Sequence, residues 1–180
     1  MGREGRGRAQ PESAARYSEA VVSREIKRVP DSVPQARARE GSCMRIVVVD
    51  GQGGKLGKQL VERILTVCPE AELTAVGANS AATAAMRKGG ALRAATGENA
   101  LIVACRRADV IIGPIGIVIA DAMLGEITPA MAAAVGGSSA LRILLPLNRC
   151  DTVIAGLGAA TVSEMLDDAM EKLRLAAKKD

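Results

Sequence analysis

The chain has 180 residues, 48% of them apolar but only 1% aromatic, with no Phe, Trp or His, so its core must be built from Val, Ile, Leu, Met and Ala. No apolar run reaches the length of a membrane span, since charges interrupt even 101–120, and no membrane partner is expected. The net charge is +4, of which residues 1–43 contribute +3, so the basic balance gives no reason to expect nucleic acid on the nearly neutral remainder.

Residues 1–43 are rich in Gly, Arg, Glu and Ser, contain three prolines and lack hydrophobic periodicity. That composition predicts a disordered tail. It has no apolar stretch of signal-peptide type, and its six acids argue against a transit peptide. A second reading is a mis-called start, with the native chain beginning at Met44. Strand one begins there, and codons for Glu40-Gly41-Ser42 can spell a purine-rich ribosome-binding sequence.

From Met44 to residue 180 strands and helices alternate. Met44 to Val49 is a short β-branched run, hence a buried strand. Leu56, Leu60, Val61, Ile64, Leu65 and Cys68 recur at helical spacing, with Pro69 just beyond. Leu73 to Val76 is a second strand, and Ala81 to Lys88 a helix closed by Gly89-Gly90. Ala91 to Ala95 is a third strand, followed by a helix that starts at Thr96 or Gly97 and runs through Arg107. Asp109 to Ile112 is a fourth strand. Helical segments follow, broken at Gly125 to Pro129, where Thr128 is the N-cap and Pro129 the first helical residue. Arg142 to Leu147 makes a fifth strand and Thr152 to Ala155 a sixth, and a helix from Ser163 to about Lys178 closes the chain. Such alternation predicts one α/β domain over 44–180, a doubly wound, mostly parallel Rossmann-like sheet of five to six strands with right-handed crossovers.

The segment Asp50-Gly51-Gln52-Gly53-Gly54-Lys55-Leu56-Gly57 joins strand one to helix one. Glycines there let the backbone turn tightly and approach a pyrophosphate, which the helix N-terminus then attracts. The spacing resembles the GxxGxxG of extended short-chain dehydrogenases through Gly51, Gly54 and Gly57. GxGxxG fails because Leu56 stands at its third glycine. A P-loop fails because five residues separate Gly51 from Gly57, and Gln59 follows Lys58 where Ser or Thr would bind magnesium. The competing reading is a glycine turn without ligand. Asp50 has two readings of equal weight: a bond to a ribose or metal, or a cap on helix one and the loop N–H groups.

Ala108-Asp109 before an apolar strand resembles the fourth strand of nicotinamide-binding domains. On that reading Gly113, Pro114 and Gly116 line the reactive end of a cofactor at the switch point of the sheet. The plainer alternative is a helix-to-strand joint. After strand two a dehydrogenase carries an acid for the ribose; here Val76-Gly77-Ala78-Asn79-Ser80 has none, and no Arg for a 2′-phosphate. Asn79 either faces the ribose or caps a helix. The cofactor-binding set expected is therefore Gly51, Gln52, Gly53, Gly54, Gly57, Asn79, Gly113, Pro114 and Gly116, for NAD(P) or another nucleotide.

Catalytic candidates are few. Glu98 and Asp50 are the acids near the carboxyl edge, Arg149 after strand five is a carboxylate or phosphate anchor, and Cys150 is a nucleophile only if its thiolate is stabilised. No His is present, and the sole tyrosine, Tyr17, lies in the tail, so the Tyr and Lys pair of short-chain dehydrogenases is missing. Glu126 to Pro129 is either a loop over the site or a corner. Cys43, Cys68, Cys105 and Cys150 have no CxxC spacing, so no metal is expected, and they read as reduced cytoplasmic thiols.

Taken together, Met44 to Gly54, Ala95 to Ala100, Asp109 to Ile117, Gly125 to Pro129 and Asn148-Arg149-Cys150 resemble bacterial domain-of-unknown-function family 3842 over about 44–178. The resemblance implies a bacterial cytosolic protein beginning at the equivalent of Met44, and it brings no activity with it. Lys55 stands where many members carry another Gly. Three functions remain in view. The first is a nucleotide-binding sensor or accessory protein, a homo-oligomer. The second is a small enzyme on a phosphorylated or carboxylated metabolite. For this one, Thr96-Gly97 and Gly113-Pro114 resemble phosphate loops of methylglyoxal synthase-like domains, which use a His absent here. The third is a scaffold with no ligand.

Overall fold

Strand β1 (Arg45–Asp50) is the spine of the fold, buried from Ile46 to Asp50. A computed structural model describes residues 43–147, 152–155 and 160–177. After β1 come α1 (Lys55–Val67), β2 (Glu72–Gly77), α2 (Ser80–Lys88), β3 (Arg93–Thr96), α3 (Glu98–Cys105), β4 (Val110–Pro114), a 3-10 turn (Ile115–Val118), α4 (Pro129–Gly136), β5 (Leu141–Leu145) and α5 (Val162–Ala177).

The five strands form one all-parallel sheet in the order β3-β2-β1-β4-β5. β1 pairs with β2 from Arg45↔Glu72 to Asp50↔Gly77, and with β4 through Ile46↔Val110, Val47↔Ile111 and Val48↔Ile112. The chain winds outward from β1 to β3, returns to the other side of β1 for β4, and continues to β5. That reversal makes the carboxyl ends of β1 and β4 a topological switch point, the crevice where open α/β sheets bind ligands.

The period of two along β1 divides the core into two layers. Ile46 and Val48 pack with Leu60, Val61 and Ile64 of α1, Met86 of α2, and Leu166, Met170 and Leu173 of α5. Val47 and Val49 pack on the other face with Leu101 and Cys105 of α3 and Met131 and Val135 of α4. Each fully buried aliphatic side chain stabilises the fold by roughly 1.5–3 kcal/mol relative to exposure. The near-absence of aromatics is thus met by two thin aliphatic layers.

Helix ends follow local chemistry. Thr128 accepts from Met131 N at 3.2 Å with Pro129 at the first helical position, as expected. Ahead of α5, Thr161 Oγ1 accepts from Glu164 N at 3.3 Å while Thr161 N donates back to Glu164 Oε2 at 2.7 Å, a reciprocal capping box. The Thr161 N–H, and the Thr161 hydroxyl donating to the same Oε2 at 2.8 Å, hold the Glu164 carboxyl below its ordinary range.

Two expectations need correction. Residues 152–155 are not a strand: Val153 is 89% exposed, and a strand needs one face against the core. Of the helical segments expected directly after β4, only the single 3-10 turn forms; turns fill the chain from there to Thr128. Among the described residues no helix is long and apolar enough to cross a membrane.

Candidate functional site

The turn between β1 and α1 lies at the switch point. Gly54, the N-cap of α1, has φ +66 and makes no side-chain cap. A Cβ there would stand 2.6 Å from Ala82 Cα and 2.8 Å from Ala82 O, so both the backbone conformation and the close approach of α2 require glycine. At Gly57 a Cβ would press on Asp50 Cβ at 2.8 Å and Met86 Sδ at 2.7 Å, so this position sets how closely α1 approaches the sheet. Gln52 takes φ 49, a left-handed conformation unusual for a side-chain-bearing residue.

Asp50 supplies the cap that Gly54 lacks. Its carboxylate, 6% exposed, accepts from Gly51 N at 2.8 Å through Oδ1 and from Gly57 N at 2.6 Å through Oδ2. These bonds are those that the capping reading of Asp50 expects. Gly54 N donates within the turn to Gly51 O at 3.1 Å, and Gln52 N donates to Glu126 Oε2 at 2.6 Å. Among the described residues, the N–H groups of Gly53, Lys55 and Leu56 have no acceptor. Lys55 and Leu56 are the first two residues of the 13-residue helix α1, whose dipole places positive partial charge there.

These residues line a cleft of about 300 Å³. The lining comprises Asp50, Gly51, Gln52, Gly53 and Gly54 of the turn, Lys55, Leu56 and Gln59 of α1, Pro114 of β4, Gly116 and Met123 beyond it, and Leu147 and Val162. Seven of the nine expected cofactor residues come together here: Gly51, Gln52, Gly53, Gly54, Pro114 and Gly116 in the lining, and Gly57 in the turn beneath. Gly113 does not line the cleft; it packs in β4, where a Cβ would lie 2.4 Å from Val49 O. Asn79 is not in the lining either. Its Oδ1 caps α2 on Ala82 N at 2.8 Å, and its Nδ2 donates to Gln52 O at 2.9 Å and Glu126 Oε2 at 2.8 Å.

The remaining candidates separate. Glu98 begins α3 outside the cleft lining, where its carboxylate accepts from Thr128 Oγ1 and ties the starts of α3 and α4. Arg149 and Cys150 lie outside the described residues. Asp109 belongs to the opposite edge of the sheet. It is 3% exposed and accepts from Arg45 N at 2.8 Å, Arg45 Nε at 3.0 Å and Arg45 Nη2 at 2.8 Å, clamping the start of β1 to the start of β4. Cys43, Cys68 and Cys105 form no disulfide.

Sequence reasoning missed Lys55 and Leu56 as backbone donors, although their place after the last loop glycine marks them as the first helical N–H groups. It also missed Glu126 as an individual residue. No local pattern could have revealed Glu126, which reaches the turn from 74 residues away.

The strand order, the crossovers and a helix N-terminus at the switch point define a Rossmann-like α/β protein. Residues 45–178 match the family model described as Domain of unknown function (DUF3842), and the chain belongs to that family. Neither the curated proteins nor the solved structures contain a match.

Proposed function

We propose that this protein binds the phosphate groups of a nucleotide, of NAD(P) type or another, on the turn from Gly51 to Gly57, and that it acts as a sensor or accessory protein. The observation that carries this reading is the division of N–H groups in the turn. Asp50 and Glu126 take those of Gly51, Gln52 and Gly57, while those of Gly53, Lys55 and Leu56 have no acceptor among the described residues and lie beside an open cleft. Leu56 is buried while Gly53 and Lys55 are exposed, so these N–H groups face solvent at the helix start, where an anion is held by them together with the dipole. The exposed Lys55 adds a positive charge at the rim. The apolar lining from Leu56, Pro114, Met123, Leu147 and Val162 suits the flat, weakly polar parts of a nucleotide.

Binding is favoured over turnover because the carboxylate in this lining, Asp50, already holds the turn. The test is a thermal-shift series with pyrophosphate, ADP, NAD and NADP on the parent protein and on Gly53→Asp. A Cβ at Gly53 meets nothing within 4 Å, and its φ lies outside the left-handed region, so the new carboxylate enters the cleft without disturbing the fold. A ligand at a hundredfold its dissociation constant raises parent stability by about 2.7 kcal/mol. Gly53→Asp should keep the unliganded melting temperature and lose the shift. No shift of the parent with any of the four compounds would overturn the reading.

A further inference from the structure

Rossmann-type dinucleotide sites hold the adenosine ribose through an acid at the end of the second strand. β2 here ends at Gly77 and offers no acid; Asn79 beyond it has its amide engaged at both ends. What the amide carries is informative. Asn79 Nδ2 and Gln52 N both donate to one oxygen, Oε2 of Glu126, at 2.8 and 2.6 Å. That oxygen also lies 2.8 Å from where a Cβ on Gly51 would stand, so the carboxylate rests directly on the turn. Its other oxygen, Oε1, has no partner among the described residues; the half-buried side chain is not itself in the cleft lining but adjoins it through its contacts with Gly51 and Gln52, which are.

The segment that delivers Glu126 is built to hold it. Ala122, Met123 and Ile127 are buried anchors. Between them the chain is folded back on itself by bonds from Asp121 N to Ile127 O at 2.8 Å, Ile127 N to Ala122 O at 3.2 Å and Gly125 N to Asp121 O at 3.1 Å. Asp121, Met123 and Leu124 take φ of 60, 57 and 62, conformations that side-chain-bearing residues adopt only where the surroundings impose them. Leu124 is 96% exposed, so the strain is not repaid by burying that side chain.

We propose that Glu126 is the ribose acid of this protein, supplied from the segment after β4 instead of from the end of β2. The proposal rests on the phosphate reading above and narrows it to a ligand class. With Oε2 fixed by Gln52 and Asn79, Oε1 accepts a ribose hydroxyl of a nucleotide whose phosphates lie on Gly53, Lys55 and Leu56. A fixed carboxylate there repels a 2′-phosphate. The ligand is therefore a nucleoside diphosphate or dinucleotide with a free 2′-hydroxyl, of NAD and not NADP type.

The experiment is isothermal titration of pyrophosphate, NAD and NADP into the parent protein, Glu126→Gln and Glu126→Asp. The parent should bind NAD at least tenfold more tightly than NADP. Glu126→Gln should weaken NAD about tenfold, narrow the gap to NADP and leave pyrophosphate affinity unchanged, with Glu126→Asp intermediate. The parent's NAD to NADP ratio needs no variant, so it decides the matter even if Glu126→Gln folds poorly. Equal affinities for the two dinucleotides would overturn the proposal. So would tighter NAD binding by Glu126→Gln, which would make Glu126 an internal competitor for the site. Pyrophosphate binding without NAD binding removes the ribose proposal alone, whereas a parent that binds none of the three removes the phosphate reading with it.

Discussion

Asp50 and Gly57 stand seven residues apart in the chain, yet Asp50 Oδ2 accepts the Gly57 N–H at 2.6 Å. Gly57 is the third residue of α1, so the carboxylate caps the helix from the end of the preceding strand, across the whole turn. The same side chain holds Gly51 N at 2.8 Å through its other oxygen. An acid at this place repels a phosphate, but it also fixes the geometry that leaves the N–H groups of Gly53, Lys55 and Leu56 to the cleft.

Asp50→Asn therefore separates scaffold from ligand contact. The amide retains one acceptor and turns an NH2 toward a backbone donor, so a buried N–H loses its partner. The expected cost is about 1–3 kcal/mol, read from urea denaturation midpoints. Because one negative charge leaves the cleft lining, pyrophosphate affinity should rise in the folded variant. A fall in affinity with the fold retained would make Asp50 a direct contact to the ligand and would contradict its assignment here as a cap.

Arg45 and Asp109 join the opposite, amino-terminal edges of β1 and β4. Asp109 is 3% exposed, and the Arg45 side chain is 27% exposed. The hydrogen bonds from Arg45 to Asp109, with the attraction between the two charges, raise the Arg45 guanidinium above its ordinary range despite partial burial. Removing the acid leaves a half-buried cation and an unpaired strand N–H. Asp109→Ala should cost about 2–4 kcal/mol, somewhat under the figure for a wholly buried pair because Arg45 reaches solvent. Asp109 lies at the other end of the strands from the cleft, so pyrophosphate affinity measured well below the melting temperature should not change. A matching loss of affinity would show that the β4 edge transmits strain to the site.

What the sequence made legible divides along physical lines. Periodicity located all five strands and placed Thr128 and Pro129 at the start of α4, because these are effects of neighbouring residues and of burial on one face. The spacing of Gly51, Gly54 and Gly57 located the turn for the same reason. Thr152–Ala155 misled because β-branched character does not by itself supply a buried face, and Val153 is left 89% exposed. The Ala108-Asp109 pair marked the start of β4, but its spelling carried no sign of the clamp on Arg45, which lies 64 residues earlier in the chain. Asn79 was legible as a cap, but not as the mount for Glu126, since that carboxylate arrives from 47 residues further along. Gly54 was legible as a loop glycine, whereas its contact with Ala82 was not, and that contact makes Gly53 the cleaner position at which to block the cleft.

Cys105 provides a pH test of the packing on the α3 face of the sheet. It is 4% exposed between the sheet and α4, and burial pushes its thiol from an ordinary 9.0 up to about 11. The folded state therefore holds this proton more tightly than the unfolded state between about pH 9 and 11. In that window the unfolded chain binds fewer protons, so stability falls as pH rises; below pH 9 the contribution is fully present. At pH 8 iodoacetamide should label the exposed Cys43 readily and leave Cys105 unlabelled in the native protein, as peptide mass spectrometry would report. Cys68, raised by burial and drawn back by Arg174, should label more slowly than Cys43. Cys105→Ala should flatten the decline of stability above pH 9 at a cost of about 1 kcal/mol at neutral pH from the lost sulfur packing. Rapid native labelling of Cys105 at pH 8 would mean that α3 opens locally far more often than its contacts with Val47, Val49 and Met131 allow.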